Sequence, residues 1–242
     1  MTEEEKPLPP GTAEVLAQSL EFRYAHAAAT SAPSKQTATQ RKGRVKDQEA
    51  AENAQEPKEI HRSWRRPSFV EQAIHGKAYG SAIHAVMQYI RYEACDSADD
   101  VRKEVDRLAV ERFITAEQGK IVDCQRIAAF FATDIGRKLR GGTEYLREFK
   151  FSILDDGSHY GDGLEGEQVL LQGVVDCALL EPDGITVVDF KTDYVTEDTL
   201  DTLVGRYRPQ VETYAHALSR IYRQEIKASY LYFFHLNRFV KL

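Results

Sequence analysis

Tryptophan and cysteine are scarce in this chain, with one Trp and three Cys in 242 residues. Cys95, Cys124 and Cys177 are far apart and odd in number, which excludes a disulfide framework and a Cys-x-x-Cys metal knuckle. A reducing, intracellular compartment is the expectation. No apolar run approaches the roughly 20 residues that span a bilayer, so no membrane partner is expected. The Met-Thr-Glu-Glu-Glu start lacks the apolar core of a signal peptide. No Gly-x-x-x-x-Gly-Lys-Ser/Thr phosphate loop is present, which excludes an ATP-driven motor within these residues. Positive charge is not in surplus either: the net charge is -6, which argues against a strong hold on nucleic-acid phosphates by these residues alone. Residues 1–66 hold 11 Lys/Arg against 10 Asp/Glu, so of totals of 32 and 38 the remainder carries 21 against 28. Acids gathered at a metal site would account for part of that excess.

Hydrophobic residues make up 42% of the chain, with 12 Tyr and 11 Phe, enough for a sizeable core. Residues 11–29 read as a helix and residues 30–66 as a charged linker almost without apolar side chains. The basic clusters 41–46 and 62–66 within it read either as a solvated spacer or as a DNA-backbone contact, with Trp64 available for stacking. Helices are expected over 78–93, over 97–115 with Val101, Val105, Leu108 and Phe113 as its buried stripe, and over 121–140. The period then changes to two, giving strands at 146–154, 168–180, 185–190 and 228–235. Asp155 to Gly166 reads as a mobile hairpin loop. A helix over about 205–223 separates the last two strands and implies a crossover to a parallel neighbour. The expected architecture is α/β, a mixed β-sheet flanked by helices, with residues 1–66 as a helical and linker extension of a domain at 67–242.

The most informative stretch is Gly173-Val-Val-Asp176, a Pro-Asp-Gly turn, then Val188-Asp189-Phe190-Lys191-Thr192-Asp193. Asp189 and Lys191 share a strand face by period-two alternation, and the hairpin can bring Asp176 beside them. Carboxylates beside apolar runs are costly to bury unless something positive compensates. A divalent ion with oxygen ligands would do so and would acidify a bound water for attack on phosphorus, with Lys191 as a point charge on the transition state. Each Asp alone reads equally as a turn former or a helix cap. Glu148, on the preceding strand, reads as a third acid of the site or as a surface partner of Arg147 or Lys150. His84, on an apolar helix, reads as a satisfied core histidine or as a ligand better suited to Mn²⁺ than to Mg²⁺. Gln210 and Tyr214 stand at i and i+4 on one helix face, as core packing or as a contact to a nucleic-acid strand.

These pieces occur in the order Gly80-x-x-x-His84-x-x-x-Gln88, Arg147-Glu148, Gly173-Val-Val-Asp176, Asp189-Phe-Lys191-Thr-Asp193 and Gln210-x-x-x-Tyr214. Together they resemble the RecB-type branch of the PD-(D/E)xK nucleases. The Asp-Phe-Lys-Thr-Asp wording, with Pro33-Ser34-Lys35 and Arg65-Arg66-Pro67-Ser68-Phe69 upstream, is most similar to the nuclease domain of AddAB-type helicase–nucleases. The resemblance covers roughly 65–242 and implies a restriction-endonuclease-like fold. It implies His84, Asp176, Asp189 and the Phe190 carbonyl as metal ligands, and Asp176, Asp189, Lys191 and Glu148 as catalytic residues. Gln172, Gln210 and Tyr214 would bind substrate. The implied cofactor is Mg²⁺ or Mn²⁺. The four Cys of the iron–sulfur relatives are not matched by Cys95, Cys124 and Cys177, so no cluster is expected. The implied partners are DNA, a helicase portion of the same polypeptide and a second helicase–nuclease subunit, in the bacterial cytoplasm at the nucleoid. The rival expectations are a non-catalytic DNA-binding scaffold and a stand-alone exonuclease.

Overall fold

The computed structural model describes residues 11–21, 29–30, 32–40 and 68–242. The chain divides into two compact units, residues 1–35 with 154–170, and residues 36–153 with 171–242. In the first lies helix α1 (Thr12–Glu21). There the Leu170 N–H donates to the Ser34 carbonyl at 3.0 Å, and the Tyr160 hydroxyl donates to Asp155 at 2.9 Å. The basic clusters 41–46 and 62–66, with Trp64, lie outside the described residues.

The second unit carries the sheet. Its strands are β1 (Lys35–Thr37), β2 (Tyr145–Asp156), β3 (Gln168–Glu181), β4 (Gly184–Lys191), β5 (Ile226–Phe233) and β6 (Arg238–Lys241), ordered β1-β3-β4-β5-β6 with β2 also on β3. Strands β3 and β4 form the expected antiparallel hairpin about the Pro182-Asp183 turn. Strands β4 and β5 are parallel, joined by helix α7 (Glu197–Tyr222) as the crossover. Every residue of β4 is buried, because helices cover both faces of the sheet there.

One face packs on helices α2 (Ser68–Tyr89), α3 (Ala98–Val110), α4 (Ala116–Ile121), α5 (Cys124–Phe131) and α6 (Asp134–Arg140). Val188, Phe190, Tyr232 and Phe234 meet Ile83, Val86, Leu108, Ile127 and Phe130 in this core. Phe130 stands edge-on to Phe190 with ring centroids 5.2 Å apart, an arrangement favoured by the ring quadrupoles. Cys95, Cys124 and Cys177 are all buried, and burial raises the thiols of Cys95 and Cys177 to about 12. The opposite face meets α7, which buries Val211, Tyr214 and Leu218. Among the described residues no helix is long and apolar enough to cross a membrane.

The helical layer is more finely divided than its periodicity implies. The expected helix over 97–115 ends at Val110, and Thr115 starts a new one through a reciprocal cap with Gln118. Phe113 therefore falls in the intervening turn, 48% exposed rather than in the buried stripe, and stacks on Tyr89 at 4.9 Å. The helix expected over 121–140 is likewise two, capped by Asp123 and Thr133 side chains. Of the 30–66 segment, residues 32–40 are described and contribute β1, whose end is fixed by the Ala38 N–H donating to the Gln172 carbonyl at 2.9 Å. Strand β6 is short and charged at both ends, which hid it from a search for apolar alternation.

Buried Glu104 fastens α3 to the end of α2. It accepts from the Arg91 N–H at 3.1 Å, from Arg91 Nε at 3.0 Å and from Arg107 Nη2 at 2.8 Å. Burial opposes its charge, but the hydrogen bonds from Arg91 and Arg107 overcome that and hold the carboxyl down to about 2. A depressed folded-state pKa contributes stability that is complete above the unfolded value of about 4.3 and is lost as pH falls toward the folded value. Glu104→Gln is expected to lower stability by roughly 1.5–3 kcal/mol at neutral pH. The gap to wild type should narrow between pH 5 and 2, read as unfolding midpoints across pH; a gap independent of pH would contradict the assignment.

Candidate active site and metal centre

Strand β4 delivers Asp189 and Lys191 to the face opposite Val188 and Phe190, which α7 covers. Asp189 is 1% exposed and Lys191 8%. The Lys191 Nζ lies 2.5 Å from Asp189 Oδ2, so each charge compensates the other in the interior. The β3–β4 ladder is paired as far as Cys177 and Val188. Just beyond, the Asp176 carboxylate accepts the Phe190 N–H at 2.8 Å, supplying by a side chain what a strand carbonyl supplies elsewhere. Phe190 itself turns its ring into the core, against Phe130 and Phe234.

His84 reaches the same place from α2. Its Nδ1 lies 3.7 Å from Asp176 Oδ1 and 3.9 Å from Glu148 Oε1. Gly80, one helical turn earlier, permits this approach: a Cβ there would stand 2.8 Å from the Thr192 hydroxyl oxygen just past β4. Burial disfavours a charged His84, yet the neighbouring Glu148, Asp176 and Asp189 carboxylates together raise its pKa.

Glu148 arrives by an irregularity in β2. Tyr145 and Arg147 face the helical layer: the Tyr145 ring lies 5.0 Å from that of Tyr92, and the Arg147 guanidinium sits over Tyr92 at 4.4 Å and donates to the Ile90 carbonyl at 2.6 Å. Phe149 and Phe151 face α7 instead, against Tyr222 and Tyr214. Strict alternation would put all four on one face. Glu148, with φ of 45° in the left-handed region, is the residue at which the strand switches sides. Arg147 is thereby committed to Tyr92 and Ile90, and the reading of Glu148 as its surface partner is corrected.

His84, Glu148 and Asp176 each offer a ligand atom, all within 4.8 Å of one another. Two ligands of an ion with bonds of about 2.1 Å lie no more than about 4.2 Å apart, a limit that the 3.7 and 3.9 Å separations from His84 meet. Two carboxylates and one imidazole form a donor set that accepts Mg²⁺ and favours Mn²⁺. Asp189 stands outside this trio, paired with Lys191, while its charge still reaches His84.

Helix α7 closes the site. Lys191 Nζ donates to Gln210 Oε1 at 3.5 Å, and Gln210 Nε2 donates to the Tyr214 hydroxyl. Burial, then the Asp189 and Asp176 charges, raises the Tyr214 pKa and keeps it protonated. Two residues assigned no part by the sequence reading belong here. The Lys191 ammonium lies 4.2 Å from the centre of the Tyr207 ring, a cation–π contact, and the Tyr207 hydroxyl donates to both Asp193 carboxylate oxygens at 3.0 Å. Tyr207 stands three residues before Gln210, on the same helix face, and that spacing is the signal that could have found it. Gln172, four residues before Asp176 on β3, has its amide donating to Ser152 at 3.1 Å.

The left-handed backbone at Glu148 costs a substituted residue roughly 1–2 kcal/mol, which glycine escapes. Glu148→Gly is expected to match or exceed wild type in thermal stability, whereas Glu148→Val should fall below it by about that amount; equal stability of the two variants would contradict the observed conformation.

Residues 58–240 match the PD-(D/E)XK nuclease superfamily. The chain is similar to proteins named as ATP-dependent helicase/nuclease subunits of the A type: 33% identical over 228 residues to that of Desulforudis audaxviator, 32% over 238 to that of Acetivibrio thermocellus and 34% over 229 to that of Geobacillus thermodenitrificans. The alignments cover 92%, 95% and 88% of this chain but 18%, 19% and 18% of those proteins, so the chain spans under a fifth of the length of the relatives it matches. With an acid pair, a buried Asp-x-Lys strand and a crossover helix on one mixed sheet, the chain belongs to the PD-(D/E)XK nuclease superfamily.

Proposed function

We propose that this chain is the nuclease module of a bacterial helicase–nuclease, hydrolysing phosphodiester bonds of single-stranded DNA as an exonuclease dependent on Mg²⁺ or Mn²⁺. The observation that carries the reading is the buried Asp189–Lys191 pair beside the His84, Glu148 and Asp176 trio. An isolated buried ion pair is a poor device for stability, since an apolar pair of similar volume often does as well or better. A site that must present one ammonium to an anion explains its retention. The helicase portion of a longer polypeptide and a second subunit would feed the strand, and the role would be resection of broken ends for recombinational repair in the cytoplasm. The relatives' name, which joins helicase and nuclease, supports this context.

In the reaction a water oxygen forms a bond to phosphorus and gives up a proton to solvent, while the bond to the leaving sugar oxygen breaks and that oxygen takes up a proton from solvent. A divalent ion held by His84, Glu148 and Asp176, bordered by Asp189, would supply Lewis-acid charge and lower the pKa of water. Lys191 donates to a non-bridging phosphate oxygen as negative charge grows there. With such an ion offsetting part of the carboxylates' charge, Asp189 would hold the Lys191 ammonium less strongly. Gln210 and the Tyr207 ring keep the lysine aimed throughout, with Asp193 fixing the ring. Tyr214 and Gln172 bind the strand.

Asp189→Asn keeps the size and an oxygen acceptor but loses the charge. Cleavage of a labelled single-stranded oligonucleotide with Mn²⁺ is expected to fall by at least roughly a hundredfold, and a wild-type rate would overturn the proposed centre. Asp189→Ala is the poorer probe, because it leaves the buried Lys191 ammonium with no oxygen acceptor at that position. Tyr207→Leu is expected to lower kcat about tenfold with KM little changed, and Tyr207→Phe, which keeps the ring, should recover most of it. Equal loss in both variants would assign Tyr207 a packing role only.

A further inference from the structure

The segment that leaves β4 is fixed residue by residue. Thr192 lies against α2, its hydroxyl oxygen 2.8 Å from where a Cβ on Gly80 would stand. Asp193 accepts the Tyr207 hydroxyl of α7. Val195 is buried, and its carbonyl accepts the His235 Nδ1 proton at 2.9 Å. Of these four residues only Tyr194 is exposed; at 77% it is the most exposed aromatic residue among those described. Its ring is nonetheless backed. His235 stands beside it with ring centroids 4.3 Å apart and an interplanar angle of 51°, and the hydrogen bond to Val195 ties that backing ring to the same segment.

A single exposed aromatic residue is ordinary on a protein surface. Its place here is what gives it meaning. In the β4–β5 register Lys191 pairs with Phe233, and the Phe234 N–H donates to the Lys191 carbonyl at 2.9 Å. Tyr194 and His235 therefore leave two parallel strands side by side, just past the rung that carries the Lys191 ammonium. Three residues of chain span at most about 11 Å, so Tyr194 lies within that reach of Lys191 along the backbone. A stacked strand covers this distance in about three nucleotides at about 3.4 Å each.

We propose that Tyr194, backed by His235, is a stacking platform for one unpaired base of the strand being cut, a few nucleotides from the scissile bond. Every base offers a π face, so such a contact tolerates any sequence. A base inside a duplex has both faces covered by its neighbours, so the platform selects single strands. Lys191 meets only a phosphate, whereas Tyr194 reads the presence of a base. This inference rests on the nuclease reading above and gives a part to two rings that the reading leaves without one.

The test uses the full chain with Mn²⁺ and two strands of equal length, an oligothymidylate and a strand of tetrahydrofuran abasic residues that keeps the phosphates and lacks the bases. Tyr194→Ala is expected to raise KM on the oligothymidylate about tenfold and to leave KM on the abasic strand unchanged. Tyr194→Phe, which keeps the ring, should match wild type on both. A wild-type KM for Tyr194→Ala on the oligothymidylate, or an equal loss on the two strands, overturns the platform. Failure of wild type to cut either strand counts against the nuclease reading alone, because fluorescence anisotropy of the labelled strands in EDTA reads the platform without turnover. There Tyr194→Ala should bind the oligothymidylate about tenfold more weakly than Tyr89→Ala, which removes an exposed ring from the helical layer instead. Equal binding by those two variants overturns the proposal.

Discussion

The structure turns on two charges held inside a strand that is buried on both faces. An ammonium and a carboxylate taken out of water cost several kcal/mol each, and their attraction offsets this only when the geometry is good and further hydrogen bonds complete the shell. Strand β4 meets these conditions by place rather than by composition. Its parallel neighbour β5 arrives by way of α7, so the crossover helix that closes the sheet also brings Gln210, Tyr207 and Tyr214 over Lys191. The same element thus supplies the topology, the core packing and the lid on the charge pair.

The trio beside it comes from three different elements, each bent to its task in a different way. Helix α2 reaches the strand end because Gly80 has no side chain to collide with Thr192. Strand β3 gives up a ladder hydrogen bond and replaces it with the Asp176 carboxylate. Strand β2 changes face at Glu148, whose left-handed backbone aims an acid at His84 while Arg147 stays tied to Tyr92 and Ile90. Local strain of this kind persists where the surroundings over-determine it and is common at functional sites. The helical layer behind, stitched by Glu104 to Arg91 and Arg107, holds α2 in place.

Much of this was legible in the residues. Period two placed Asp189 and Lys191 on one face, the Pro182-Asp183-Gly184 turn implied the hairpin, and the long route to the last strands implied the parallel crossover. Glu148 was visible as a nearby acid, but not its turn toward the site, because a glutamate gives no sign of a positive φ. Tyr207 was hidden for a different reason: a tyrosine on an amphipathic helix reads as core until the ammonium above it is located. The caps at Thr115, Asp123 and Thr133 were signals in plain view, outweighed by continuous apolar spacing that suggested longer helices. The Ala38 N–H meets the Gln172 carbonyl of β3 across more than a hundred residues, a contact that spacing cannot express.

The most direct measurement is a crystal structure with Mn²⁺ bound, using the ion's anomalous scattering to locate it. The account predicts a peak bonded to His84, Glu148 and Asp176 and bordered by Asp189, with Lys191 still held by Gln210 and the Tyr207 ring. A peak elsewhere on the chain, or none at a Mn²⁺ concentration that supports cleavage, would contradict it.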